Sequence, residues 1–100
     1  MTTLSDDEVR AGLVELDGWE LDGDRITRVY RLGGFPQAVA FVVRVSYLAE
    51  AADHHPDLDI RYNRVRVSLS THSEGGVTGK DLDLARNVHS VAGELGATEG

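Results

Sequence analysis

Residues 50–81 read EAADHHPDLDIRYNRVRVSLSTHSEGGVTGKD, and the pattern changes three times along them. Pro56 disfavours helical geometry at the residue before it, so a helix arriving from upstream ends at or just before His54-His55. Val65, Val67 and Leu69 then alternate with Arg64, Arg66, Ser68 and Ser70. That period of two marks a strand with one buried face. Residues 58–62 and 65–70 pair as a hairpin that reverses near Asn63 and Arg64. Tyr62 is expected at the strand end with its ring half-buried. A polar, glycine-rich loop covers residues 71–79. Thr78 and Asp81 form a capping box, with Asp in place of Glu, and start a helix over residues 80–95. Its inward positions are Leu82, Ala85, Val88, Ala92 and Leu95. Helix end, hairpin and helix start in this order point to a layered α+β fold.

Working outward, the upstream helix spans residues 35–54. Phe35, Ala38, Phe41, Val42, Val45, Leu48, Ala49 and Ala52 make its apolar stripe. Pro36 sits in the first turn, where proline is tolerated. Gly33-Gly34 stops the element before it. Residues 19–21 and 25–32 form a first hairpin around Asp22-Gly23-Asp24, a strong turn signal. Ile26, Thr27, Val29 and Tyr30 suit a pleated surface. Near the start, Ser5 and Glu8 make a capping box, and Asp6 and Asp7 favour the positive end of the helix dipole. Val9, Leu13 and Leu16 extend that helix over residues 6–16, with Gly18 as a terminator. Residues 96–100 are expected to fray. The order αββαββα predicts one domain over residues 1–100: a four-stranded antiparallel sheet with helices on one face. An exposed edge, such as residues 64–70, would be open to pairing with a second copy.

Acidic residues outnumber basic ones 17 to 10, giving a net charge of −7. Such a chain repels phosphate, which argues against direct nucleic-acid binding. There is no cysteine, so disulfides and thiolate metal sites are excluded. The acidic start lacks the basic and apolar blocks of a secretion signal, and no apolar run reaches the roughly 18 residues of a membrane span. A cytoplasmic protein is the expectation.

Four histidines carry the candidate chemistry: His54, His55, His72 and His89. The fold brings the end of the long helix towards the end of the last strand, so His54, His55 and His72 can line one cleft. Imidazole exchanges protons near neutral pH, and two of them can serve an elimination. One protonates a leaving hydroxyl while the other accepts a ring N–H proton. Glu50 precedes His54 by four residues, on the same helical face, where it can orient a histidine. Three histidines could instead bind zinc, and a lone histidine at a helix C-terminus is often only a dipole cap. His89 falls mid-helix and is given no role, and Asp81 on its own is a helix cap.

The spacing Glu50, three residues, His54-His55-Pro56, five residues, Tyr62, nine residues, His72, eight residues, Asp81 resembles the pterin-4a-carbinolamine dehydratase signature. Ala49-Glu50, Leu69-Ser70-Thr71-His72, Gly75-Gly76-Val77-Thr78, Trp19 and the Phe35, Ala38, Phe41 stripe are similar to that family too. The resemblance implies the αββαββα fold, homodimers or homotetramers, and no metal or cofactor. It also implies a substrate, 4a-hydroxytetrahydrobiopterin, the by-product of aromatic amino-acid hydroxylases. Loss of water would give quinonoid dihydropterin. By position His54 and His72 look like the acid/base pair and His55 like a substrate-binding residue. Glu50, Pro56 and Asp81 would support the site. The backbone of Ser70, Thr71 and Ser73 would hydrogen-bond the pterin ring. Many relatives carry Trp where this chain has Leu58, which removes apolar surface near the site. The competing expectation is a non-catalytic binding module, either a dimerisation partner of a transcription factor or an assembly factor for a carboxylase.

Overall fold

The computed structural model describes residues 2–99. Helix α1 (Asp6–Gly12) is followed by strands β1 (Glu20–Asp22) and β2 (Arg25–Arg31). Then come helix α2 (Phe35–Ala52), strands β3 (Asp57–Arg61) and β4 (Arg64–Leu69), helix α3 (Gly79–Glu94) and a short strand β5 (Thr98–Glu99). The sheet is antiparallel with order β1-β2-β4-β3, and β5 also pairs with β2. The predicted αββαββα order is therefore present, with one strand added.

The alternation in the sequence sets the layering. Ile26 and Tyr30 of β2 and Val65, Val67 and Leu69 of β4 are buried on one face. Ala38, Phe41, Val45 and Ala49 of α2 and Leu82, Leu84, Ala85, Val88, Val91 and Ala92 of α3 join them in the core. Phe41 and Trp19 both meet the Tyr30 ring edge-on, at centroid separations of 5.3 and 6.3 Å, a favoured aromatic geometry. The Tyr30 hydroxyl accepts from Trp19 Nε1 at 2.8 Å and is hydrogen-bonded to His89 Nδ1 at 2.7 Å. His89 thus packs against β2 with its ring hydrogen-bonded. Burial pushes its pKa below the ordinary value, and the Arg28 guanidinium adds to that.

Four expectations change. First, α1 stops at Gly12 rather than Leu16. A Cβ at Gly12 would fall 2.6 Å from a Leu82 methyl, so the end of α1 packs tightly on the Leu82 side chain of α3. The chain then leaves the helix in turns that still bury Leu13 and Leu16. Second, the tail does not fray over residues 98–99. Gly96, at φ +70, reverses the chain after α3. β1 pairs only with residues 25–27 of β2, so the rest of that edge is open to β5 at Tyr30 and Arg31; Gly100 lies outside the described residues. Third, β4 is not an edge, because it lies between β2 and β3. Its alternation reports one buried face and is the same for an edge or a central strand; the edge beyond it is β3. Fourth, Tyr62 is no half-buried strand residue. It sits in the two-residue turn at φ +52 and is 71% exposed. The ends of the predicted helix stripes, Phe35, Ala52 and Leu95, are also exposed.

Candidate active site

Asp53 closes α2 in the left-handed conformation, φ 48. The His54 amide then donates to the Ala49 carbonyl at 3.1 Å, a backbone reversal common at helix ends. Pro56 commits the chain to β3 directly afterwards. His54 and His55, neighbours in sequence, leave this corner in different directions.

His54 turns inward. Its Nε2 donates to Asp81 Oδ1 at 2.5 Å, with the His54 side chain 11% exposed and Asp81 fully buried. Asp81 is also the third residue of α3. Its Oδ2 accepts from the Thr78 amide at 2.9 Å and from the Thr71 hydroxyl at 2.8 Å, and Thr71 and Thr78 hydroxyls lie 2.8 Å apart. The predicted capping box is thus present, and its carboxylate has a second task, fixing the His54 tautomer. Every fully buried side-chain nitrogen and oxygen among the described residues has a partner. His54 Nδ1 has none, so it keeps contact with solvent. A carboxylate-oriented imidazole with one free nitrogen is suited to proton transfer.

His55 faces outward, with Nε2 2.5 Å from Glu50 Oε1. Glu50 was expected to share a face with His54; it orients His55 instead, because the chain has left the helix. His72 opens the short 3-10 turn His72–Glu74 after β4 and is exposed. His55 and His72 line one cleft with Asp24, Arg25, Asp57, Ser68, Leu69 and Ser70. Ser70 Oγ donates to the Asp24 carbonyl at 2.7 Å, tying the end of β4 to the β1–β2 turn and fixing that wall.

Among the sequence-derived site residues, the cleft brings together His55, His72 and Ser70. His54, Thr71 and Asp81 form the hydrogen-bonded group behind it. Ser73 is exposed beside His72, and Pro56 is half-buried between His55 and β3. Asp24, Arg25, Asp57 and Ser68 were not anticipated. Asp57 could have been found from its place next to Pro56. Asp24 and Arg25 arrive only through the pairing of β2 with β4. Among the described residues no three His, Asp or Glu side chains converge as a metal site would require. No helix is long and apolar enough to cross a membrane.

A family profile described as Pterin 4 alpha carbinolamine dehydratase matches residues 2–91. The chain belongs to that family. A Roseiflexus castenholzii protein provisionally named a pterin-4-alpha-carbinolamine dehydratase is 51% identical over 88 residues, covering 88% of this chain and 95% of the relative. A Chloroflexus aurantiacus protein with the same provisional name is 50% identical, covering 93% of this chain and all of the relative. A Brucella melitensis crystal structure, described as a transcriptional coactivator/pterin dehydratase, superposes with a TM-score of 0.86 at 41% identity, covering 91% of this chain and 99% of that one. A pterin dehydratase-like protein, identified as a RuBisCO assembly factor in the alpha-carboxysome, shares the fold at 20% identity. Its TM-score is 0.68, over 78% of this chain and 93% of that one.

Proposed function

We propose that this protein dehydrates a 4a-hydroxytetrahydropterin to the quinonoid dihydropterin by histidine general acid/base catalysis. The observation that carries the reading is the split of the histidine pair. His55 reaches the cleft that holds His72, while His54 is locked by Nε2 onto buried Asp81 with Nδ1 left free. In this reading His54 and His72 are the acid/base pair. One protonates the departing 4a-hydroxyl and the other takes the ring N–H proton, so water leaves and a C=N bond forms. His55, oriented by Glu50, binds substrate with Pro56 and the backbone of Ser70, Thr71 and Ser73. Asp81 positions His54 in the manner of a carboxylate behind a catalytic imidazole. Leu58 at the position where Trp is frequent leaves that flank of the site less apolar. The expected setting is a cytoplasmic homodimer or homotetramer, acting on the product of an aromatic amino-acid hydroxylase with no metal or cofactor.

The test is the decay of freshly generated 4a-hydroxytetrahydropterin followed by absorbance. The protein should speed decay above the spontaneous rate. His54→Ala and His72→Ala should each remove about a hundredfold or more of that enhancement. No acceleration by folded protein would refute the reading. A second reading, a protein-binding role, draws support from the coactivator description of the Brucella melitensis relative, and a pull-down of partners with the full chain addresses it.

A further inference from the structure

Helices cover one face of the sheet and leave the other open. On the open face, Arg31 of β2 lies opposite Arg64 of β4, which in turn lies opposite Arg61 of β3. Directly paired residues project to the same side of a sheet. Three guanidinium groups therefore cross three adjacent strands in a row roughly 10 Å long. Arg66, two residues along β4, adds a fourth and lines a shallow depression with Val29, Asp59, Arg61 and Arg64. All four arginines are exposed. Asp59 holds Arg61 at 3.3 Å. Among the described residues Arg31, Arg64 and Arg66 have no ion pair.

This arrangement works against stability. Like charges directly opposite one another on a sheet destabilise it. The chain has only ten basic residues, yet four of them meet at this end. The turn beside them adds a second cost, because Tyr62 is held at φ +52, a conformation that disfavours side chains other than Gly and Asn. Asn63 anchors the turn: its carbonyl accepts from the Leu32 amide at 2.8 Å, and its Nδ2 donates to the Leu32 carbonyl at 3.2 Å. The Tyr62 ring is left in solvent, between Arg61 and Arg64 in sequence. Two features that cost stability, together at one exposed end, point to a use there.

We propose that this end of the sheet is a docking surface for an acidic segment of a partner protein. Arginine and tyrosine are the side chains in which interface binding energy concentrates, and guanidinium groups pair with carboxylates in a bidentate, directional way. The segment would place two or three carboxylates along the row and an apolar side chain against Tyr62. Nucleic acid is the poorer fit. The net charge of −7 repels a long polyanion beyond the patch, and one exposed ring offers little base stacking. The row of Arg31, Arg64 and Arg61 lies at the opposite end of β4 from Leu69, Ser70 and the cleft, and Arg66 stands between the row and Ser68 on the same face.

The test uses the full chain and a fluorescent ten-residue poly-glutamate peptide, followed by anisotropy at low and high salt. Binding should be salt-sensitive. It should weaken about tenfold or more in the Arg64→Ser/Arg66→Ser variant, with pterin turnover unchanged. Arg64→Ser alone, which removes the residue facing both Arg31 and Arg61, should resist urea as well as or better than the parent. Tyr62→Gly should also raise the urea midpoint while weakening the peptide. No peptide binding at low salt, or equal binding by the double variant, would overturn the proposal. So would a loss of stability in Arg64→Ser, or tighter binding of a labelled ten-nucleotide oligo-dT. Sedimentation showing that the double substitution only splits an oligomer would assign the patch to a second copy, and would overturn it as well.

Discussion

Replacing Asp81 with Asn tests the link between the helix cap and the chemistry. Asp81 is fully buried and accepts three hydrogen bonds, from His54 Nε2, the Thr71 hydroxyl and the Thr78 amide. Asn is nearly the same shape. With its oxygen towards Thr71 and Thr78 it preserves the start of α3. Its NH2 then faces His54 Nε2, and two N–H donors cannot share one hydrogen bond. The imidazole must move its proton to Nδ1. Stability falls by the difference between a charge-assisted and a neutral hydrogen bond, about 1–2 kcal/mol. Activity should fall much further. The one free nitrogen of His54 would carry a proton in the neutral ring and could not act as a base, and no carboxylate would stabilise the imidazolium. General acid/base catalysis is worth roughly a hundredfold to ten-thousandfold, so a loss of about a hundredfold or more is expected. Urea denaturation gives the first quantity and carbinolamine decay the second. A folded Asp81→Asn protein that turns over within about threefold of the parent would show that the His54 tautomer is irrelevant to catalysis, contrary to the general acid/base expectation.

Further perturbations read other parts of the fold. Phe41→Ala empties a fully buried ring site against Tyr30 and should cost about 3–5 kcal/mol by denaturant titration; a cost below about 1 kcal/mol would mean that the core closes over the gap. His89 has its pKa lowered by burial and by Arg28, so its contribution to stability is present above the ordinary histidine pKa and is lost as pH falls below it. The urea midpoint of the parent should therefore drop more steeply than that of His89→Gln on acidification from neutral pH, and parallel curves would contradict the assignment. Gly18 sits at φ +84, where an added Cβ would lie 2.7 Å from Arg28 Nε. Gly18→Ala should therefore cost more than about 1 kcal/mol, partly by displacing Arg28 from the Asp17 carbonyl it bonds; an unchanged melting temperature would show that Arg28 moves aside freely.

The elements legible in the sequence were those whose signals are local. Both capping boxes, Ser5 with Glu8 and Thr78 with Asp81, are present as read. The period-two run of β4 and the arrest of α2 before Pro56 are present too. What escaped depends on partners far away in the chain. Residues 98–99 have no strand signature of their own and pair because β1 leaves part of β2 uncovered. Tyr62 looks like a strand residue by type, but Asn63 bonding to Leu32 places the turn there. The site divides in the same way. The histidine spacing is visible in the chain, whereas the opposite orientations of His54 and His55 follow from the left-handed Asp53. Asp24 and Arg25 reach the cleft only through strand pairing.

The two margins of the sheet are unequal, and this bears on how the protein behaves when crowded. One margin is broken into two short pieces, β1 and β5, which offer a neighbouring chain no continuous run of free amides and carbonyls. The other is β3, only five residues long. It begins directly after a proline, which has no N–H to give, and carries Asp57, Asp59 and Arg61 on its open face. Short, charged, proline-bounded margins discourage strand-on-strand growth. The polar residues that alternate along β3 thus serve colloidal stability as well as the cleft. Replacing Asp57 and Asp59 with valine would lengthen the apolar run next to an unguarded margin, and the first symptom would be precipitation on concentration rather than loss of fold.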